Sequence, residues 1–319
     1  MKRRDNIIFL ISGLILLAGM GAADLLCGDA AADAEVIRLL RLPRTVTAIL
    51  AGAALALAGT QMQSIFRNPL ADPHIMGISA GASLGAAAAT LTAGYASSAL
   101  TATLRGITIA GASSAGAAAA AMIILGASRK FKKASTLLIF GVMLGFIVNA
   151  AVSILQFNSN AESLKIFYSW SAGSFSTTTW TQIAITAAGL AIGTAAALMN
   201  RKGLDIILFG DEFAEMAGAR PGSIRIMALL SGSILTGTVT AFCGPLGFVG
   251  IAAPHIARAF LRTSSHRVIL PASLLTGSII GLGADLLSQL SPYPIPTASS
   301  MAFIGIPVVL YILIKKTSL

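Results

Sequence analysis

Residues 46–66 read VTAILAGAALALAGTQMQSIF, an apolar run that contains no charged side chain. An α-helix rises about 1.5 Å per residue, so about 20 apolar residues are needed to cross the roughly 30 Å hydrocarbon core of a bilayer. This run has that length. It therefore predicts a helix that crosses a membrane once.

The rest of the chain repeats this pattern. Hydrophobic residues make up 55% and charged residues 11% of the 319 positions, and the mean hydropathy is +0.84, whereas soluble domains contain about 25% charged residues. Besides 46–66, the candidate spans are 7–26, 74–93, 106–127, 134–156, 179–199, 224–243, 246–261, 268–288 and 298–314.

The span 246–261 is the weakest of these, because it is short and ends in Arg258 and Arg262, so hydropathy alone would allow nine spans. Only short loops remain between the spans, and no separate soluble domain fits. Backbone polar groups must be paired internally in lipid, so the spans should form a compact bundle. The fold class we predict is all-α: residues 1–319 form a single polytopic transmembrane domain with about ten helices.

The formal charge of +10 does not indicate nucleic acid, because the basic residues fall between apolar runs and not on one face or in a tail. With ten spans and an inside N-terminus, 17 of the 22 Lys and Arg residues fall on the inner side. The five on the outer side are Arg38, Arg41, Arg44, Arg105 and Lys165. The positive-inside rule predicts this asymmetry, which places both termini in the cytoplasm.

The first span follows Met-Lys-Arg-Arg, as in a signal peptide, but its apolar stretch reaches Cys27 and similar stretches follow, which favours an uncleaved span. Cys27 and Cys243 are the only cysteines. They form no disulfide framework or CxxC pair. Both fall near predicted outer ends of spans, so a bridge between them is left open.

The longest inner loop, about residues 201–223, contains the sequence of a short helix. Asp211 is predicted to cap its start, Glu212 and Glu215 lie in the first turn, where the helix dipole favours acids, and Gly218 can end it before Pro221. We interpret this helix as a docking element for a cytoplasmic partner. The alternative is a connecting helix on the lipid headgroups, which acids disfavour at an anionic leaflet.

The arginines of RLLRLPRT, residues 38–45, lie outside, against the charge rule. They could pair with carboxylates of a soluble partner or an anionic substrate. Lipid phosphate, or nearby Asp33 or Glu35, would serve equally well as the partner of these arginines.

Asp285 is the one acid well inside an apolar run. It is either a functional group or close enough to the outer edge to reach water.

Enzymatic motifs are absent from the sequence. It contains no GxxxxGK[ST] loop for nucleotide phosphates, no HExxH and no recognisable Ser, His and Asp arrangement. His74, His255 and His266 are scattered and indicate no ligand cluster, and His255 is expected to be a hydrogen-bonded packing residue. The turn RNPLADPH, residues 67–74, needs no role beyond breaking the helix. Because the sequence contains no nucleotide-binding loop, any ATP hydrolysis must be done by another subunit.

Four ordered motifs resemble one family. They are residues 41–87, beginning RLPRTVTAIL and including RNPLADPHIMG; FGDEFAEMAGA, residues 209–219; GPLGFVGIAAPHIAR, residues 244–258; and GADLLSQL with PIPTASSMAFIGIPVVLYIL, residues 283–290 and 294–313. In this order they resemble the permeases of bacterial ABC importers for iron-siderophores, haem and cobalamin, the type II importers. The match extends from about Arg41 to Lys316.

The resemblance implies a homodimer of ten-helix subunits in the bacterial cytoplasmic (inner) membrane. It also implies two cytoplasmic ATPase subunits, which bind ATP and Mg, and a periplasmic or lipid-anchored binding protein. No cofactor is implied for this chain. Transport would proceed by alternating access without covalent chemistry.

The resemblance also assigns residues. Arg41 and Arg44 look like the family's docking arginines for the binding protein, and Gln289 occupies the place where cobalamin permeases have another. The coupling helix on the ATPase is expected to include Gly210, Asp211, Glu212, Glu215, Ala217 and Gly218. Ser135 and Thr136 begin the fifth span, where the family has its cytoplasmic gate, and the fifth and tenth spans would line the path.

The cargo is not readable from these residues. We expect an iron chelate, either a siderophore or haem, with cobalamin or an oxyanion as the alternative, and Gln289 modestly disfavours cobalamin. An ion-coupled secondary transporter is the alternative of another class. It would need ionisable groups near mid-membrane, and the centres of these spans contain very few.

Overall fold

A computed structural model describes residues 2–26, 34–91, 102–131, 133–290, 293 and 295–317. Its main helices are α1 (Lys2–Leu26), α2 (Leu42–Phe66), α3 (Ile78–Leu91), α4 (Ala102–Lys130), α5 (Ala134–Phe157), α6 (Ala161–Ser171), α7 (Trp180–Ile207), α8 (Asp211–Met216), α9 (Pro221–Cys243), α10 (Val249–Leu261), α11 (His266–Gln289) and α12 (Thr297–Thr317). Short helical turns at Ala34–Val36, Ile37–Arg41 and Pro73–Met76 complete the described helical segments. The all-α prediction is confirmed.

Seven of the described helices are long and apolar enough to cross a membrane, and three shorter apolar helices, Ile78–Leu91, Val249–Leu261 and Thr297–Tyr311, accompany them. Each of the ten overlaps one span predicted from the sequence, including the weak one at 246–261. The helix α6 was not predicted. Its 11 residues include Glu162 and Lys165, so it is too short and too polar to register as a span.

The helix α2 is at the centre of the bundle, and 72% of the residues in its most apolar 18-residue stretch are buried. Glycines allow its backbone to touch two neighbours. A Cβ on Gly52 would lie 2.1 Å from the carbonyl oxygen of Gly277 in α11, and one on Gly59 would lie 2.0 Å from that of Gly250 in α10. Such backbone contact compensates for the missing hydrophobic drive between helices in lipid.

Two non-helical segments, residues 67–72 and 244–248, shorten α3 and α10 and meet inside the bundle. The ring of His74 hydrogen-bonds the carbonyl of Leu246, and the Asp72 carboxylate accepts from the His74 backbone amide at 2.8 Å. His255 Nε2 lies 2.8 Å from the carbonyl oxygen of Pro69, which confirms the packing role expected for His255. These side chains pair backbone groups that the helix breaks leave open.

Candidate functional site

A cavity of about 560 Å³ opens at the predicted cytoplasmic end of the bundle, between the end of α2, the start of α5 and the segment that contains α8. It brings together residues that are far apart in the chain. Its lining consists of Phe66, Arg67, Lys133, Ala134, Ser135, Phe209, Gly210, Asp211, Glu212, Phe213 and Met216. The predicted gate residue Ser135 and the predicted coupling residues Gly210, Asp211 and Glu212 therefore share one cavity.

The helix α8 begins at Asp211, as predicted, but its start is built differently. Gly210 is the residue before the helix, with a φ of 110°, and no side chain caps the helix. The Asp211 carboxylate instead forms an ion pair with the nearly buried guanidinium of Arg225 in α9. The prediction that Asp211 caps the helix is therefore wrong, because the fold brings Arg225 against it. Gly218 follows the helix with a φ of +77°, as its predicted terminating role requires.

The inner loop that contains α8, predicted at about residues 201–223, is shorter than predicted. The helix α7 continues to Ile207, and α9 begins at Pro221, so the connection is mostly α8 and its two flanking turns. Helix α7 thus reaches past the membrane boundary that Arg201 and Lys202 suggested, and it holds α8 close to the bundle.

The outer surface of α8 combines acids with large apolar side chains. Glu212 and Glu215 are exposed, as are Ala217 and Gly218, while Phe213 is 46% and Met216 is 80% exposed. The ring of Phe209, which is 73% exposed, lies 5.2 Å from that of Phe213, centroid to centroid. Ala214 on the opposite face is fully buried. The acids were predicted as docking residues, whereas the aromatic pair was not predicted.

The residues predicted for the gate begin α5. Both Ser135 and Thr136 are exposed, and Lys133 precedes the helix without a side-chain cap. Ser135 faces the cavity, whereas Thr136 is not among its lining residues.

The predicted docking arginines lie at the other end of the bundle. The Nε atom of Arg44 lies 2.8 Å from both carboxylate oxygens of Asp285, and its Nη2 donates to Ser288 at 2.8 Å. Asp285 is 0% exposed, so the reading in which it reaches water is wrong. Arg44 is instead its partner inside the protein, and three-quarters of the Arg44 side chain is buried.

Gln289 belongs to the same polar cluster. Its Nε2 donates to Asp24 at 2.7 Å and to Asp285 at 3.2 Å, and the hydroxyl of Thr45 donates to Asp24 at 2.5 Å. Arg41 donates to the carbonyl oxygen of Leu25 at 2.9 Å. The cluster joins α1, α2 and α11. No role for Asp24 was predicted, because its partners lie far away in the sequence.

This geometry makes Arg44 a structural cation. We expect Arg44→Gln to lower the free energy of unfolding by about 3 kcal/mol, because it leaves the Asp285 carboxylate buried without its counter-charge. The fall should appear as a lower apparent melting temperature in detergent. Arg38→Gln, which changes an exposed arginine on the same segment, is the control. Equal melting of the two variants would contradict the buried pair.

The FecCD transport family model matches residues 7–315, which is nearly the whole chain. The chain belongs to this family.

Two relatives in the FecCD family are named for the import of different compounds. The Fe(3+)-citrate import system permease protein YfmD of Bacillus subtilis is 33% identical over 98% of this chain and 94% of its own length. The vitamin B12 import system permease protein BtuC of Klebsiella pneumoniae is 33% identical over 87% of this chain and 82% of its own.

A solved ABC transporter assigned to the metal-chelate type, in an inward-facing conformation, superposes on this FecCD chain with a TM-score of 0.85 at 27% identity. The match covers 96% of this chain and 98% of the other. Together with the family match, this makes the chain a multi-span membrane permease of an ABC transporter, which is a transport component.

One polar arrangement in this FecCD chain joins residues that are far apart in the sequence. His266 Nε2 lies 2.6 Å from Ser64 Oγ, and His266 Nδ1 lies 2.7 Å from the Asp205 carboxylate. No sequence pattern had indicated this contact of Ser64 and Asp205 with His266. Ser64 is 1% exposed and also donates to the Thr60 carbonyl, so no substrate reaches it. The chain of hydrogen bonds ties α7 to α11 and α2.

Proposed function

We propose that this chain is the membrane-spanning subunit of an ATP-driven importer that moves an iron chelate, either a siderophore or haem, across the bacterial cytoplasmic membrane by alternating access. The observation on which this rests is the cavity shared by Ser135 and the start of α8. A displacement of α8 by a partner would act directly on the start of α5.

A separate cytoplasmic ATPase, which binds ATP and Mg, docks on α8. Its contact surface is formed by Phe209, Phe213 and Met216 with Glu212 and Glu215 around them. Exposed aromatic and Met side chains with a charged rim are typical of the centre of a protein interface. The buried side of α8 and the Asp211–Arg225 ion pair attach α8 to the bundle. A displacement of α8 by the ATPase is therefore transmitted to the bundle.

Two copies of the chain enclose the transport path in this proposal, with α5 and α12 lining it. Only 17% of the residues in the most apolar 18-residue stretch of α5 are buried within one subunit. Ile139, Phe146 and Ile147 are each more than 60% exposed. A second copy would cover part of this face.

A periplasmic or lipid-anchored binding protein docks at the opposite end through Arg41, with Arg44 and Gln289 as the other residues proposed for this contact. Arg41 is the better test, because Arg44 is needed inside the protein. We expect Arg41→Glu, a change at a half-buried position, to weaken docking in proteoliposomes, and more so at low salt, because salt screens charges that are in contact with water. Lys165→Glu, on the same side in α6, is the matched control. Unchanged affinity in Arg41→Glu would contradict the docking role.

The proposed cargo draws on the relatives. YfmD is named for ferric citrate, and iron chelates are the commonest cargo of the resembling permeases. BtuC is named for vitamin B12, so cobalamin is the alternative, followed by an oxyanion. Binding of radiolabelled ferric siderophore, haem and cobalamin to the partner binding protein separates these cargoes.

The ATP requirement tests the function against an ion-coupled transporter. Proteoliposomes that contain this chain and its co-purified ATPase should take up cargo only with ATP and binding protein present. Uptake should be insensitive to a protonophore. Uptake driven by an ion gradient in the absence of ATP would overturn the proposal.

A further inference from the structure

An apolar groove of about 480 Å³ runs along the outer surface of the bundle between α1, α10 and α11. Ile8, Phe9 and Leu16 of α1 line one side, and Phe260, Ile279 and Ile280 line the other. In a membrane such a surface meets lipid chains and not water. The apolar lining of the groove therefore suits an acyl chain.

One end of the groove lies beside cationic side chains. Phe9 and Phe260 close this end, with ring centroids 5.9 Å apart, and Phe9 packs with Val268 around Leu261. Arg262 directly follows Leu261, and Arg267 directly precedes Val268; both are exposed. Arg4, also exposed, lies five residues before Phe9 on α1.

These three arginines have no carboxylate partner among the residues that the structure describes. The ion pairs found there are Arg44 with Asp285, Arg225 with Asp211 and His266 with Asp205. An exposed cation at the headgroup level without an internal partner attracts anionic lipid, by about 1 kcal/mol for each Lys or Arg.

We propose that this groove binds one anionic phospholipid of the cytoplasmic leaflet, with an acyl chain along the groove and the phosphate at Arg262 and Arg267. Charge complementarity selects this occupant: an anionic lipid brings net negative charge, whereas a zwitterionic lipid neutralises its phosphate with its own ammonium group. The site joins α1 to α10 and α11. It is independent of the cargo and of the ATPase.

Native mass spectrometry of the delipidated full-length protein tests the site by titration with phosphatidylglycerol and with phosphatidylcholine of the same chains. We expect phosphatidylglycerol to bind about tenfold more tightly. The double variant Arg262→Gln/Arg267→Gln should lose this preference. Arg201→Gln/Lys202→Gln, which changes two exposed cations on α7, a helix that contributes no residue to the groove, should keep it.

Two further arms separate the headgroup from the chain. Ser12→Trp places a large side chain in the groove and should weaken both lipids alike. Glycerol 3-phosphate, which has no chain, should not displace bound phosphatidylglycerol. Equal affinity of the wild type for the two lipids, an unchanged preference in Arg262→Gln/Arg267→Gln, or its equal loss in the α7 control would each overturn the proposal.

Discussion

Replacing Glu212 and Glu215 with Lys is expected to reduce cargo-stimulated ATP hydrolysis by the reconstituted complex roughly tenfold or more, since charge reversal at a docking surface costs about 2 kcal/mol or more. Both glutamates are exposed on α8 beside Phe213 and Met216, where the ATPase is proposed to dock. The change places a lysine ammonium opposite the ATPase groups that paired with each glutamate, where it repels a cation or leaves a polar group without its partner. The measurement is the ATPase rate with and without loaded binding protein in proteoliposomes.

The control for this variant is Glu162→Lys, a reversal of an exposed glutamate on α6. It changes the net charge by one reversal without touching α8, so coupling should persist. A Glu212→Lys/Glu215→Lys complex that is fully assembled and coupled would remove α8 from the mechanism. Co-purification of the ATPase with each variant shows whether assembly or coupling has failed.

The glycine contact between α2 and α11 is expected to give the largest loss of stability. In Gly52→Val the new Cβ would lie 2.1 Å from the carbonyl oxygen of Gly277 and 3.2 Å from the Cα of Gly281. Backbone atoms cannot yield as a flexible side chain can, so the two most central helices must separate, at a cost of about 3 kcal/mol or more. The yield of monodisperse protein in detergent and its melting temperature measure this effect.

Gly126→Val is the matched control for that substitution. A Cβ at Gly126 would meet nothing within 4 Å, although the position is also within a long helix. We expect near-normal yield and melting for this variant. If Gly52→Val behaved in the same way, the close approach of α2 and α11 would be wrong.

The sequence could predict the spans because each depends on local composition. A run of about 20 apolar residues has few alternatives to crossing the bilayer, and ten described apolar helices overlap the ten predicted runs. The short helix at Asp211–Met216 was also predictable, because its acids and Gly218 are local signals. The helix α6 was not, because it has neither the length nor the composition of a span.

The polar clusters could not be predicted, because their members meet only in the folded bundle. Arg44 and Asp285 are 241 positions apart, and Ser64 and His266 are 202 apart. Pairing Arg44 with nearby Asp33 or Glu35 was the local guess, whereas the structure gives it Asp285. Asp33 and Cys27 lie outside the described residues, so the suggested bridge from Cys27 to Cys243 stays untested.

Docking, gating and coupling roles stay predictions for the same physical reason. The described residues show which side chains share a surface, such as Ser135 with Asp211 and Glu212. Each of these roles depends on contacts with another protein, and variants on α8 and at Arg41 test those contacts.

Membrane sidedness is the sharpest test of the transport proposal, because docking of the ATPase and of the binding protein requires α8 and Arg41 to face opposite compartments. Single cysteines at positions 38 and 212, both exposed, would be placed in a chain with Cys27 and Cys243 replaced and treated with a membrane-impermeant thiol reagent. In intact spheroplasts only Arg38→Cys should react, and Glu212→Cys should react only after the membrane is opened. Reaction of both cysteines from the outside would contradict the proposed roles of α8 and Arg41.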